Sequence, residues 1–94
     1  MEESEGIEKT RVRERITEYF NTKQGYKFLK FGKFKKIKLG GATWLYIVEA
    51  EMEQGRDIAL VPVSRAFPQG IIILNSEQVA SIVRALIDGL GTPF

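Results

Sequence analysis

Seven lysines and no acidic residue lie between Lys23 and Lys38, with aromatic side chains threaded among them: Lys23-Gln-Gly-Tyr-Lys-Phe-Leu-Lys-Phe-Gly-Lys-Phe-Lys-Lys-Ile-Lys38. An ammonium group attracts phosphate and releases condensed counterions when it binds one. An aromatic ring stacks on an unpaired base, contributing about 1–3 kcal/mol, and accepts any base because every base has a π face. A duplex hides those faces, so the combination points to single-stranded nucleic acid. Lys27, Lys30, Lys33, Lys35, Lys36 and Lys38 are the candidate phosphate contacts. Phe28, Phe31, Phe34 and Trp44 are the candidate stacking platforms, with Tyr26 and Tyr46 beside them. Arg56 and Arg65, which bracket a later strand, extend the candidate surface. The competing reading makes the aromatics ordinary core and the lysines guards of an edge strand against aggregation. At these positions the aromatics cannot all share one face of a regular strand, so some belong to the core under either reading.

The charge is directed rather than diffuse. The whole chain carries a formal +2, but the lysine run holds +7, leaving 7 basic and 12 acidic side chains elsewhere, a balance of −5. A basic stripe on an otherwise acidic protein is an electrostatic footprint for a polyanion. Other chemistries are poorly supplied. Cysteine and histidine are absent, which removes disulfides, thiolate metal sites and the commonest general base. Glu49, Glu51 and Glu53 alternate along one strand face and could in principle hold a divalent cation, but no further ligand lies near them, so a solvated face is expected. Nucleophile–base pairs and phosphate-binding glycine loops are not found, and no enzymatic activity or cofactor is expected. No apolar run reaches membrane-spanning length, and the acidic start is unlike a signal peptide, so an intracellular location, cytoplasm or nucleoid, is expected.

The elements that must position these residues can be read from periodicity. Ninety-four residues suit one domain, with an acidic, unstructured stretch over 1–6 and the binding domain over 7–94. Val12, Ile16, Tyr19 and Phe20 recur at helical spacing and predict a helix over 7–20. That helix is expected to pack on the sheet, with Arg11, Arg13 and Arg15 as its candidate contribution to binding. The first strand lies within 26–39, and Gly32 in mid-run predicts a bulge or bend. Gly40-Gly41 makes a hairpin turn. In the second strand Trp44, Tyr46, Val48, Ala50 and Met52 alternate with Leu45, Ile47, Glu49, Glu51 and Glu53. The segment 54–57 reads as a turn and 58–65 as the third strand, irregular near Pro62. The continuous apolar run 71–74 predicts a buried fourth strand. Asn75 or Ser76 caps a final helix, with Gln78 placed for a capping box, and Val79, Ile82, Val83, Leu86, Ile87 and Leu90 form an apolar stripe expected to join the core. The fold class is therefore α+β: a four-stranded antiparallel curved sheet with an N-terminal helix and a closing C-terminal helix, in the order α-β-β-β-β-α.

The stretch Phe28-Leu-Lys-Phe-Gly-Lys-Phe-Lys-Lys-Ile-Lys-Leu39 resembles the first strand of the positive-cofactor-four family of transcriptional coactivators, in which a Gly-Lys pair interrupts an apolar-basic strand. Trp44-Leu-Tyr-Ile-Val-Glu49 is similar to its second strand, and Gln69-Gly-Ile-Ile-Ile-Leu-Asn-Ser-Glu-Gln78 to its glycine, apolar strand, turn and helix opening. The wider superfamily includes the plant Whirly proteins. The archaeal single-stranded DNA-binding proteins of the Thermoproteales are a second group that the chain resembles. The resemblance implies a homodimer formed partly through the last helix, and single-stranded DNA held by basic and aromatic side chains of the strands. Lys33 and Lys35 fall on the family's basic positions. The first hairpin departs from the family in being Gly40-Gly41-Ala42, Val79 stands where the last helix usually has tryptophan, and a helix replaces the Ser/Lys-rich tail. The expected function is largely sequence-independent binding of single-stranded DNA in replication, repair or transcription. The alternatives are an RNA-binding module on the same sheet and a protein-interaction or transcription-adaptor domain.

Overall fold

In the computed structural model, which describes residues 2–22 and 27–89, two helices flank one antiparallel sheet. The elements are α1 (Glu2–Asn21), β1 (Phe28–Gly40), β2 (Thr43–Met52), β3 (Gly55–Ser64), β4 (Phe67–Pro68), β5 (Ile72–Asn75) and α2 (Ser76–Asp88). The α+β class and element order are as expected, with a short fifth strand added. No helix among the described residues is long and apolar enough to cross a membrane. Lys23, Tyr26 and Leu90 lie outside the described residues.

The helix α1 begins at Glu2, within the stretch expected to be unstructured, rather than near Ile7. Its apolar residues Val12, Ile16 and Phe20 stand four apart and share a face, and all three are buried. They meet Tyr46, Val48, Ala50 and Met52 of β2 and Ala59, Val61 and Val63 of β3, which are buried too. Full burial stabilises by about 1.5–3 kcal/mol for each large apolar side chain, so α1 is built into the core.

The sheet runs β1-β2-β3, and β4 and β5 both pair with the far edge of β3, together completing a fourth position. The break between them explains Pro62. Its carbonyl accepts from the Gln69 N–H at 2.7 Å, on the fourth-strand side. In an antiparallel strand the nitrogen points the same way as the carbonyl of its residue. The missing N–H of Pro62 therefore faces the gap between Pro68 and Ile72, and the ladder to β2 loses nothing. The third strand begins at Gly55, so Arg56 and Asp57 are strand residues and not part of a turn.

Two expectations about burial fail. The run 71–74 is not fully buried: Ile71 and Ile73 pack on the core, but Ile72 is 56% exposed because β5 alternates at a sheet edge. The α2 stripe does not reach the core, and no residue of that helix is buried. Its start is nonetheless well made. Asn75 Oδ1 accepts from Gln78 N–H and Gln78 Oε1 from Asn75 N–H, each at 2.9 Å, which satisfies two donors at the helix entry.

Candidate nucleic-acid interface

The basic run forms the outer edge strand of the sheet and is bulged. Phe28 stands opposite Met52, Phe31 opposite Ala50 and Phe34 opposite Val48, with register shifts between Phe28 and Lys30 and between Phe31 and Phe34. Opposed residues share a face. Each shift inserts an extra residue and restores phase, so three phenylalanines at i, i+3 and i+6 all point to the α1 side. A regular strand would have split them, which is why sequence alternation misplaced them.

These rings do not stand free as stacking platforms. Phe20 and Phe28 stack at 5.6 Å between centroids, Phe28 meets Phe31 at 4.7 Å, and Phe31 meets Phe34 at 5.7 Å. All three rings of β1 are half-buried against the core. Phe28, Phe31 and Phe34, the expected stacking candidates, form an aromatic ladder that ties the edge strand to α1 and leaves only part of each ring open.

The second bulge is held by a carboxylate. Glu49 Oε1 accepts from the Lys33 backbone N–H at 3.0 Å, and its Oε2 meets Arg56 Nη1 at 3.2 Å. The Lys33 hydrogen bond and the Arg56 charge outweigh partial desolvation and keep the Glu49 carboxyl below its ordinary pKa. A Cβ on Gly32 would lie 2.6 Å from Glu49 Oε1 and 2.9 Å from Glu49 Cβ, so glycine is needed for close approach. Glu49 is thus a bulge clamp rather than part of a solvated face, and Arg56 is engaged by it.

The lysines divide between two faces. Lys36 and Lys38 oppose Tyr46 and Trp44, on the α1 side, whereas Lys30 and Lys35 oppose Glu51 and Ile47, on the other side. Lys30, Lys33, Lys35 and Lys38 are exposed. Lys27 pairs with Glu53 at 3.7 Å, both side chains well exposed, a contact of little energetic consequence. Lys36 is different. Its Nζ bonds Glu8 Oε1 of α1 at 2.9 Å, and the Tyr46 hydroxyl donates to the same oxygen at 2.7 Å. Burial pushes the Glu8 carboxyl up, but the two hydrogen bonds and the Lys36 and Arg11 charges prevail and hold it below its ordinary value.

Above β1, α1 adds Arg11 and Arg13, named from the sequence as its candidate contribution, and Lys9, which was not. Lys9 Nζ lies 5.6 Å from the Phe34 centroid and Arg13 Cζ 5.1 Å from it. Lys36 Nζ is 4.4 Å and Lys38 Nζ 5.7 Å from the Trp44 ring. Arg11 stacks over Phe67 at 4.2 Å and donates to the Ala66 carbonyl at 2.8 Å. Lys9 and Arg13 are one helical turn apart beside the Val12–Ile16 stripe, and a helical projection of the sequence carries that signal. Arg65 sits in the β3–β4 turn with φ 53 and donates its N–H to Ala42, near Trp44, while Arg56 lies at the opposite end of β3. These two arginines do not form one site.

The face away from α1 is largely apolar and uncovered. Leu45 and Ile47 of β2, Ile58, Leu60 and Pro62 of β3, and Ile72 and Leu74 of β5 adjoin one another there by register, and none is buried. Ile82, Val83, Leu86 and Ile87 of α2 are 44–68% exposed. Comparison with protein-family models, with curated proteins and with solved structures finds no match to this chain.

Proposed function

We propose that the chain binds single-stranded DNA, largely without sequence preference, and does so as a homodimer. The observation that carries the reading is the edge strand β1, along which Lys30, Lys33, Lys35 and Lys38 are exposed and, among the described residues, make no ion pair with a carboxylate. Trp44, half-buried like the phenylalanines but outside the set packed on the core, lies beside Lys36 and Lys38 and offers the base platform. Lysines supply affinity without reading sequence, and one indole accepts any unpaired base. The resemblance to the positive-cofactor-four family supports the same assignment.

The homodimer is supported by two apolar surfaces that the core leaves without full cover, the half-buried sheet face away from α1 and the exposed α2 stripe, surfaces of a kind that marks an interface. The same surfaces favour a second reading, a protein-interaction domain whose partner is another chain. Sedimentation of the purified protein separates them: a monomer at micromolar concentration excludes the homodimer.

Titration of a fluorescent oligo-dT, single- against double-stranded and at several salt concentrations, tests the main reading. With roughly four phosphates neutralised, log affinity falls with log salt at a slope of about −3. A near-flat slope, or equal affinity for the duplex, excludes the reading. Competition with a matched RNA oligonucleotide assigns the sugar preference.

A further inference from the structure

We infer that the bound strand runs on the α1 side of β1, along the seam where the helix meets the edge strand, and that Lys9 and Arg13 of α1 are phosphate contacts; this rests on the single-strand reading above. Four cations from two elements lie there beside two aromatic rings, one of them, Lys36, already held by Glu8. Lys9 and Arg13 flank Phe34, and Lys36 and Lys38 flank Trp44. Phe34 and Trp44 are separated along β1 by the span from Phe34 to Lys38, roughly 13 Å at the rise of a strand. The cations therefore form a track along the strand rather than a point.

The charge balance of the two faces favours this side. Among the described side chains the carboxylate paired with these cations is Glu8, which Lys36 holds, and the other described acids of α1, Glu14 and Glu18, are exposed. On the opposite side Lys30 stands across from Glu51, and Glu49 and Arg56 are locked together beside the bulge. Beyond them that face turns apolar, with Ile47, Leu45 and Leu60, which suits another protein surface and repels a hydrated phosphate chain. Base platforms divide in the same way. Trp44 opposes Lys38 on the α1 side, whereas the aromatic strand residue that register places on the open face is Phe67, opposite Ser64, and its ring is already taken by Arg11. The Arg11–Phe67 pair closes the far side of the helix, with Phe67 56% exposed.

The two faces thus take different partners: nucleic acid on the α1 side of the edge strand, protein on the other. The helix has two tasks on this account. Its Val12–Ile16–Phe20 stripe holds the sheet, and its Lys9–Arg13 flank forms one side of the seam.

The test compares Lys9→Gln/Arg13→Gln with Lys30→Gln/Lys35→Gln, each removing two positive charges from one face. Binding of a fluorescent oligo-dT is followed by anisotropy across a salt series, with circular dichroism confirming the fold. The α1 pair is expected to lose at least tenfold in affinity at low salt and to flatten the salt slope by about 1.4, two phosphate contacts at about 0.7 each. The open-face pair is expected to lose less, about threefold to fivefold, because those exposed lysines act through the field of the edge strand and not as direct contacts on the α1 side. A larger loss in the open-face pair, or equal losses in both, overturns the inference while leaving single-strand binding intact. Failure of the unaltered protein to bind oligo-dT overturns both. A second measurement needs no variant: Trp44 is the sole tryptophan, so unlabelled oligo-dT is expected to quench its fluorescence, and saturable binding without quenching places the strand elsewhere.

Discussion

Replacing Glu8 by glutamine separates the structural from the binding role of the seam. Glu8 Oε1 accepts from both Lys36 Nζ, at 2.9 Å, and the Tyr46 hydroxyl, at 2.7 Å. A glutamine oxygen can take both bonds, so Glu8→Gln removes the charge and keeps the shape. Hydrogen bonds to charged groups contribute about 1.5–3 kcal/mol against about 0.5–1.5 for neutral pairs. The Lys36 side chain is 24% exposed and Glu8 13%, so solvent screens part of that difference. A loss of about 1 kcal/mol follows, which lowers Tm by about 4–8 °C for a chain of this size. Binding moves the other way. With Glu8 neutral, Lys36 becomes available to phosphate, and the salt slope for oligo-dT steepens by about 0.7. The variant should therefore be less stable and bind more tightly. The folded pKa of Glu8 is depressed, so its stabilisation is complete above its unfolded value and is lost as pH falls through the folded one. The stability gap between the two proteins should accordingly narrow as pH falls below the ordinary glutamate range and close once it has passed through the depressed folded value. Thermal melts from pH 3 to 7 and anisotropy across a salt series supply both readouts. Weaker or unchanged binding with an unaltered slope would refute the assignment of the Lys36 side of the seam to nucleic acid.

Other outcomes follow from single contacts. Gly32→Ala should lower Tm, because the added Cβ meets Glu49 at 2.6–2.9 Å, and Glu49→Ala in the same chain should recover part of the loss in a double-mutant cycle. Burial raises the pKa of Asp57; a raised folded pKa means stability that is present in acid and lost as pH rises through it, so Asp57→Asn should raise Tm at pH 7 and the gain should vanish in acid. Trp44→Ala should weaken oligo-dT binding by about 1–3 kcal/mol, roughly 5- to 150-fold, with a small change in Tm, whereas Phe34→Ala should cost stability first because its ring belongs to the aromatic ladder.

Local pattern made much of the fold legible. Strand alternation put Tyr46, Val48, Ala50 and Met52 on one face, and all four are buried. The first hairpin turns at Gly41 and Ala42, one residue later than the expected Gly40-Gly41 pair, with Gly40 closing the strand opposite Thr43 and both glycines at positive φ, 142 and 57, and Asn75 and Gln78 build the expected capping box. The site was less legible. Two bulges moved Phe28, Phe31 and Phe34 together onto the α1 face, and phase changes of that kind leave only a glycine as a trace in the sequence. The α2 stripe has the pattern of a core helix yet stays exposed, because amphipathic spacing reports that a face will be covered and not by what.

The chain alone determined a basic-aromatic edge strand, a second strand with one face bound for the core, and a helix before and after the strands, since each depends on spacing within a few residues. Only the tertiary structure decided which lysines stand exposed. Lys36 is held by Glu8, 28 residues away in sequence, and Glu49 clamps the bulge at Lys33 from the neighbouring strand. Lys9 and Arg13 line the seam because the buried stripe of α1 lays that flank along β1. Charge and ring content are properties of the residues themselves, but a carboxylate neutralises a lysine only at contact distance, and folding sets that distance.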